Sequence, residues 1–430
     1  MKPGNDRRAS STARSHARRR RSAGLVAATL GVWGVALTGL APAAAADDVQ
    51  SQQWYLDAMS ADQLWKVSTG KGITVAVIDT GVSDTPSLQG KLLPGTDVTG
   101  TTGGAHSDYE GHGTTMAELI AGSGRGGGLK GLAPDAKIDP IRTTLKSLSS
   151  SHGGDSDKAI RAAADSDAQI INMSFGGDVP TSDEAAAVEY AIGKGKLLFA
   201  GMGNEGDTKL YYPAGYDGVV GVSAADENGT VTSFSQHGIN VDLASPGAHV
   251  PAWCDKNLKS YCKSEGTSQA SAIASASAAL IWSAHPKWTA DQVLRVLVDT
   301  AGRDWPKDKP STYLGYGLIR PARNLLHHEG SPGAPDIDPI TGAKTPGVAA
   351  SSGTAGTSAT GSASQNPDDK SSDGKGSSDG AGTSGDKSSA AASSEDSGGD
   401  GQMWTIIGVV AAVVVIGGAV FAFVRKRRTA

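Results

Sequence analysis

The run Ile73-Thr74-Val75-Ala76-Val77-Ile78, followed at once by Asp79-Thr80-Gly81, decides how this chain folds. Its six residues carry no charge, are rich in β-branched side chains, and are bounded by Gly72 and a polar turn, so they read as a buried strand. Neither face is polar, which suits a parallel strand covered on both sides. Ile170-Ile171-Asn172-Met173, Lys196-Leu197-Leu198-Phe199-Ala200 and Val219-Val220-Gly221-Val222 repeat the pattern. Between and after them, residues 114–121, 155–165, 183–193, 268–285 and 289–300 read as helices. Strands alternating with helices predict an α/β fold around a mainly parallel central sheet flanked by helices. In such sheets the chemistry collects beyond the carboxyl ends of the strands.

Three fragments place reactive side chains there. Asp79 sits at a strand tip, and His112 lies between two glycines in Glu110-Gly111-His112-Gly113-Thr114. Ser268 opens a small-residue helix in Gly266-Thr267-Ser268-Gln269-Ala270-Ser271-Ala272. A serine hydroxyl becomes a nucleophile when an imidazole takes its proton, and the imidazole serves best when a carboxylate fixes its tautomer. Each fragment alone has a plain structural reading, as a strand-end acid, a turn histidine or a helix cap.

In this order and with these neighbours, the fragments resemble the subtilisin-like serine protease family, and the resemblance runs over nearly all of residues 54–325. Gly131–Ile138, Asn172-Met173-Ser174-Phe175-Gly176, Met202-Gly203-Asn204-Glu205-Gly206, Ser233-Phe234-Ser235 and Ala244-Ser245-Pro246-Gly247 resemble further family segments. The resemblance implies a catalytic triad of Asp79, His112 and Ser268. It implies an oxyanion site made by Asn204 and the Ser268 N–H. It also implies an extended substrate along Ser174, Phe175 and Gly176, with Gly201, Met202 and Gly203 near the P1 side chain and Met202 partly filling its pocket. The chain departs from the family at Ala272, where proline is usual, at Thr115, where a second histidine is common, and at Glu118, where glycine is usual. No loop has the carboxylate spacing of a calcium site, and the other histidines share no ligand spacing, so neither metal nor cofactor is expected.

Both ends read as addresses. Residues 1–46 combine a basic start ending in Arg18-Arg19-Arg20-Arg21, an apolar stretch from Ala23 to Leu40 and a small-residue run, Ala41 to Ala46, as an export signal does. An uncleaved N-terminal anchor is the alternative, and the choice between the general and twin-arginine export routes stays open. Residues 331–403 are poor in large apolar side chains and are expected to form a disordered Ser/Gly/Ala-rich linker. Residues 404–424 are uncharged over 21 positions, enough for one transmembrane helix, and Arg425-Lys426-Arg427-Arg428 then places tail 425–430 in the cytoplasm. That leaves 47–330 as the folded body, expected on the extracellular face of the cell membrane. Residues 47–403 hold 27 basic and 43 acidic side chains, a formal charge of −16, which excludes a nucleic-acid-binding body. The two cysteines, Cys254 and Cys262, are expected to form a disulfide in an exported domain, free thiols being the alternative.

The short lead-in with Gln53-Trp54-Tyr55-Leu56 and Leu64-Trp65, the linker and the basic-ended anchor together resemble the mycosins, membrane-anchored subtilisin-like proteases tied to type VII secretion in actinobacteria. This implies a serine endopeptidase acting on proteins or peptides outside the membrane, with a type VII secretion membrane complex as a partner. The alternative is a structural component of such a complex whose catalysis is weak or dispensable.

Overall fold

A computed structural model describes residues 49–144 and 155–347. The expected export signal, most of the linker, the transmembrane helix and the cytoplasmic tail lie outside the described residues. Among the described residues no helix is long and apolar enough to cross a membrane.

In chain order the elements are α1 (Trp54–Ala58), α2 (Ala61–Leu64), β1 (Thr74–Asp79), β2 (Thr96–Asp97), α3 (His112–Ala121), β3 (Lys137–Arg142), α4 (Ser156–Asp165), β4 (Ile170–Met173), α5 (Ser182–Gly193) and β5 (Leu197–Gly201). There follow β6 (Val219–Ala225), β7 (Leu243–Pro246), β8 (Val250–Trp253), β9 (Tyr261–Ser264), α6 (Thr267–Ala284), α7 (Ala290–Thr300) and α8 (Pro321–Leu325). Seven strands form one sheet in the order β2-β3-β1-β4-β5-β6-β7, every pairing parallel. β8 and β9 form a separate antiparallel hairpin.

The period of two in β1 divides the core. Val75 and Val77 point to one side of the sheet, among Met116, Leu119 and Ile120 of α3 and the alanines of α6. Ala76 and Ile78 point to the other, among Ala159 and Ile160 of α4 and Val188 of α5. Both faces are covered, which is why β1, β4, β5 and β6 are largely apolar rather than alternating.

The sheet order reverses between β1 and β4: the chain leaves β1 toward β3 and β2, then returns to extend the other side from β4 to β7. The crevice beyond the carboxyl ends of β1, β4 and β5 is therefore the place where a site forms. α6 runs beneath it and is buried at every position from Gln269 to Trp282. Its small side chains allow that close approach. Its two inward hydroxyls, Ser271 and Ser275, are satisfied by Asn172 Oδ1 of β4 at 2.9 and 3.2 Å.

The folded body extends past the expected boundary at residue 330. Thr289 Oγ1 donates to the Pro335 carbonyl (2.6 Å), Arg295 Nη2 donates to the Ile337 carbonyl (3.0 Å), and Ile340 packs on the main core. Residues 331–347 are polar in composition, but α7 satisfies their backbone and a single isoleucine anchors the turn, so the described chain stays attached through Gly347.

Candidate active site

Asp79 ends β1 and is fully buried. Its Oδ1 accepts from the Thr80 N–H (2.7 Å) and from Thr80 Oγ1 (3.1 Å), which holds the carboxylate in one orientation. His112 Nδ1 lies 2.8 Å from Oδ1 and 2.9 Å from Oδ2. A carboxylate only accepts, so Nδ1 carries the proton and Nε2 is left as the basic nitrogen. Burial pulls the His112 pKa down, but the Asp79 charge and hydrogen bond outweigh it, and the net shift is upward. The ring itself is about 30% exposed, enough to meet a substrate.

Glycine is required beside this pair. A Cβ on Gly113 would stand 2.2 Å from the Gly81 carbonyl oxygen and 2.9 Å from Asp79 Cβ, so only glycine lets α3 sit against the end of β1. The start of α3 is held by Asp108, which sequence reasoning did not single out. Its Oδ1 accepts from the N–H groups of Glu110 (3.0 Å) and Gly111 (2.8 Å) and from Thr80 Oγ1 (2.7 Å). Its Oδ2 accepts from the N–H and hydroxyl of Thr114 at 2.8 and 2.6 Å. Asp108 thus caps the helix that begins with His112, and its negative charge also favours the imidazolium. An aspartate four residues before a helix-opening histidine was the available signal.

Ser268 is the second residue of α6, so its N–H has no carbonyl four residues back inside the helix. Its hydroxyl donates to the Ser174 carbonyl at 3.3 Å rather than to His112. Ser174 Oγ in turn donates to the Ser268 carbonyl (3.2 Å) and accepts from Asn172 Nδ2 (2.8 Å), which pins the end of β4 to the start of α6. Phe175 and Gly176 continue past β4 with no strand beside them among the described residues, and Gly177 then pairs with Tyr212.

Asn204 lies in the loop after β5. Its Oδ1 accepts from the Thr267 N–H at 2.9 Å and from Thr267 Oγ1 at 3.1 Å. Both partners donate to Oδ1, so the amide orientation is set, on an exposed side chain. Gly201 packs so closely on Thr267 that a Cβ there would lie 2.8 Å from its hydroxyl oxygen. A Cβ on Gly203 would overlap Gln236 Oε1. The expectation for Met202 needs correction: its side chain is 2% exposed and belongs to the core on the α4–α5 side, with its sulfur against Gly221. β5 alternates, and position 202 falls on the inward side, so its side chain fills core rather than a substrate pocket.

Cys254 and Cys262 form the expected disulfide, across the β8–β9 hairpin. That hairpin also accounts for two departures from the family pattern. A Cβ on Gly111 would lie 2.7 Å from the Asp255 carbonyl oxygen, Thr115 Oγ1 accepts from the Trp253 N–H at 3.1 Å, and Glu118 Oε2 accepts from Tyr261 Oη at 2.7 Å. Positions 111, 115 and 118 recur at helical spacing, so the hairpin lies along one face of α3. Ala272 is simply buried within α6. Among the described residues no group of three or more His, Cys, Asp or Glu side chains is arranged to hold a metal ion.

A family model described as the subtilase family (Peptidase_S8) matches residues 70–317. Thermitase from Thermoactinomyces vulgaris is 32% identical over 271 residues, covering 61% of this chain and 95% of the relative. The minor extracellular protease Epr of Bacillus subtilis (strain 168) is 35% identical over 283 residues, covering 63% of this chain but only 41% of Epr. Among solved structures, the serine protease MycP1, described as an essential component of the type VII (ESX-1) secretion system, has a TM-score of 0.58 at 28% identity. That match covers 65% of this chain and 90% of MycP1. MycP1 from Mycobacterium smegmatis gives 0.56 at 26% identity, covering 63% and 84% respectively.

Proposed function

Because the chain belongs to the subtilase family of serine proteases, we propose that it is a serine endopeptidase in which Asp79, His112 and Ser268 form the triad. The observation that carries this reading is the buried Asp79 carboxylate, which leaves Nε2 of His112 as the free base. In the resting site the Ser268 hydroxyl rests on the Ser174 carbonyl, and rotation about its Cα–Cβ bond releases it toward Nε2. His112 takes the hydroxyl proton as Oγ bonds to the substrate carbonyl carbon, and the carbonyl π electrons move onto oxygen. Asn204 Nδ2 and the Ser268 N–H meet that oxyanion, the latter at the positive end of α6. The intermediate collapses to an acyl-enzyme as the C–N bond breaks and His112 gives its proton to the leaving amine. Water, deprotonated by the same imidazole, then releases the acid.

A substrate would lie extended beside Ser174–Gly176, where the backbone after β4 pairs with no strand among the described residues, and Gly201 and Gly203 would border its P1 side chain through backbone alone. The decisive test is a fluorophosphonate probe applied to the full-length chain beside Ser268→Ala. Labelling lost in the mutant supports the triad; equal labelling of both would remove it.

A second reading concerns setting. The likeness to MycP1 and MycP3, described as proteases of type VII (ESX-1 and ESX-3) systems, together with the sequence signs of export and a C-terminal anchor, supports an enzyme held at the outer face of a membrane beside a type VII secretion complex. Complementation of a deletion strain with Ser268→Ala separates catalysis from physical presence: restored secretion assigns the requirement there to the protein's presence.

A further inference from the structure

Glu118 is a fully buried carboxyl in the middle of α3, six residues beyond His112, and the triad chemistry does not use it. Its Oε1 accepts from Thr85 Oγ1 at 2.6 Å and its Oε2 from Tyr261 Oη at 2.7 Å. The Leu129 N–H and the Trp253 indole N–H face the same carboxylate, and the indole N–H has no hydrogen-bond partner. Thr85 lies six residues after Asp79, and Tyr261 lies on the strand that leads into Ser268. One side chain therefore joins the segment after Asp79, the helix of His112 and the approach to Ser268.

We propose that Glu118 is a positioning residue: with both oxygens accepting, it locks these three segments in register and so aligns the three groups of the triad. The proposal rests on the triad reading above. It also gives a role to an acid at a position where the fold gains nothing from its charge. No cation pairs with Glu118 among the described residues, and the titratable groups facing it are the phenols of Tyr55 and Tyr261, which burial pushes upward and keeps neutral. Burial likewise pushes Glu118 up to about 7, against the opposing hydrogen bonds of Thr85 and Tyr261. A buried, unpaired carboxylate costs stability whenever it is ionised. When Glu118 is protonated, one oxygen must donate, so one of its two bonds reverses or breaks and the register loosens. The aligned state is the ionised one.

The experiment follows fluorophosphonate inactivation of the full-length chain against pH for the unaltered protein, Glu118→Gln and Tyr261→Phe, with Ser268→Ala as the blank and circular dichroism to verify folding. Two ionisations, His112 and Glu118, should steepen the acidic limb of the unaltered protein to a slope near two. Glu118→Gln, which cannot ionise, should lower the maximal inactivation rate about tenfold with probe affinity within about twofold, and return the slope to about one. Tyr261→Phe removes one donor to the carboxylate, so it should keep the steep limb but move its midpoint upward. Folded variants with unaltered rates and limbs would reduce Glu118 to a packing residue and overturn the proposal. A folded but unlabelled unaltered protein would instead overturn the triad reading, and the positioning role with it.

Discussion

Asn204 Oδ1 accepts a hydrogen bond from the backbone N–H of Thr267, the residue before Ser268, at 2.9 Å. The loop after β5 is thereby fastened to the first turn of α6, and the group proposed to meet the oxyanion moves with the group proposed to create it. Asn204→Ala should lower turnover by about 10²–10³ while leaving substrate affinity nearly unchanged, because the amide donates only as charge develops. Single-turnover acylation measured beside KM would check this, and a loss confined to KM would contradict it.

The upward shift of His112 predicts the pH range of activity. In the proposed mechanism the neutral imidazole is the base, so activity should fall as pH drops through the folded pKa, which lies above the ordinary 6.5. The stability supplied by the Asp79–His112 pair has the same origin: it is fully present below the unfolded pKa and is lost as pH rises through the folded one. Asp79→Asn should shift the acidic limb downward and reduce turnover about 10⁴-fold, since an amide no longer enforces the Nδ1–H tautomer.

Glu118 contributes in the opposite sense from a paired acid. Its folded pKa of about 7 exceeds the ordinary value of 4.5, so the folded state holds the extra proton between those values and the protein loses stability as pH rises through that window. The loss amounts to about 3 kcal/mol from this group. Urea unfolding at several pH values should show that slope diminished in Glu118→Gln relative to the unaltered protein.

Replacing both Cys254 and Cys262 by serine opens a loop with a sequence separation of 8. On the loop-entropy account this should cost about 2–3 kcal/mol of stability. Because the hairpin presses on Gly111, Thr115 and Glu118, the same variant should also slow fluorophosphonate labelling at constant probe concentration.

Met202→Ala should act as a core truncation, lowering stability by about 2–5 kcal/mol and leaving the preferred P1 residue unchanged. Profiling cleavage of a peptide library by the variant checks this. A new preference for larger P1 side chains would return Met202 to the pocket.

Much of this arrangement was legible in the residues. β1, β4, β5 and β6 showed as apolar runs because parallel strands are covered on both faces, and the five longer helices showed by length and periodicity, while the short α1, α2 and α8 did not. Asp79, His112, Ser268 and Asn204 stood out as candidates because their glycine and threonine neighbours are as constrained as they are. β2 was missed because two residues, Thr96 and Asp97, make no pattern. Met202 was misjudged because a residue beside a cleft can turn inward by a single step of the pleat. Asp108 escaped, and Glu118 showed only as a departure from the family pattern, because capping and three-way contacts depend on partners remote in sequence, such as Thr80, Thr85 and Tyr261.

The burial of α6 from Gln269 to Trp282 bears on how the protein breathes. Opening that helix means dismantling both the sheet beneath it and the helices around it, so its amides should exchange with deuterium only through global unfolding. The exposed β9 strand just before it should exchange by local fluctuation. Ser268, the proposed nucleophile, should therefore mark a seam, with the most slowly exchanging stretch of backbone on one side and one of the quickest on the other.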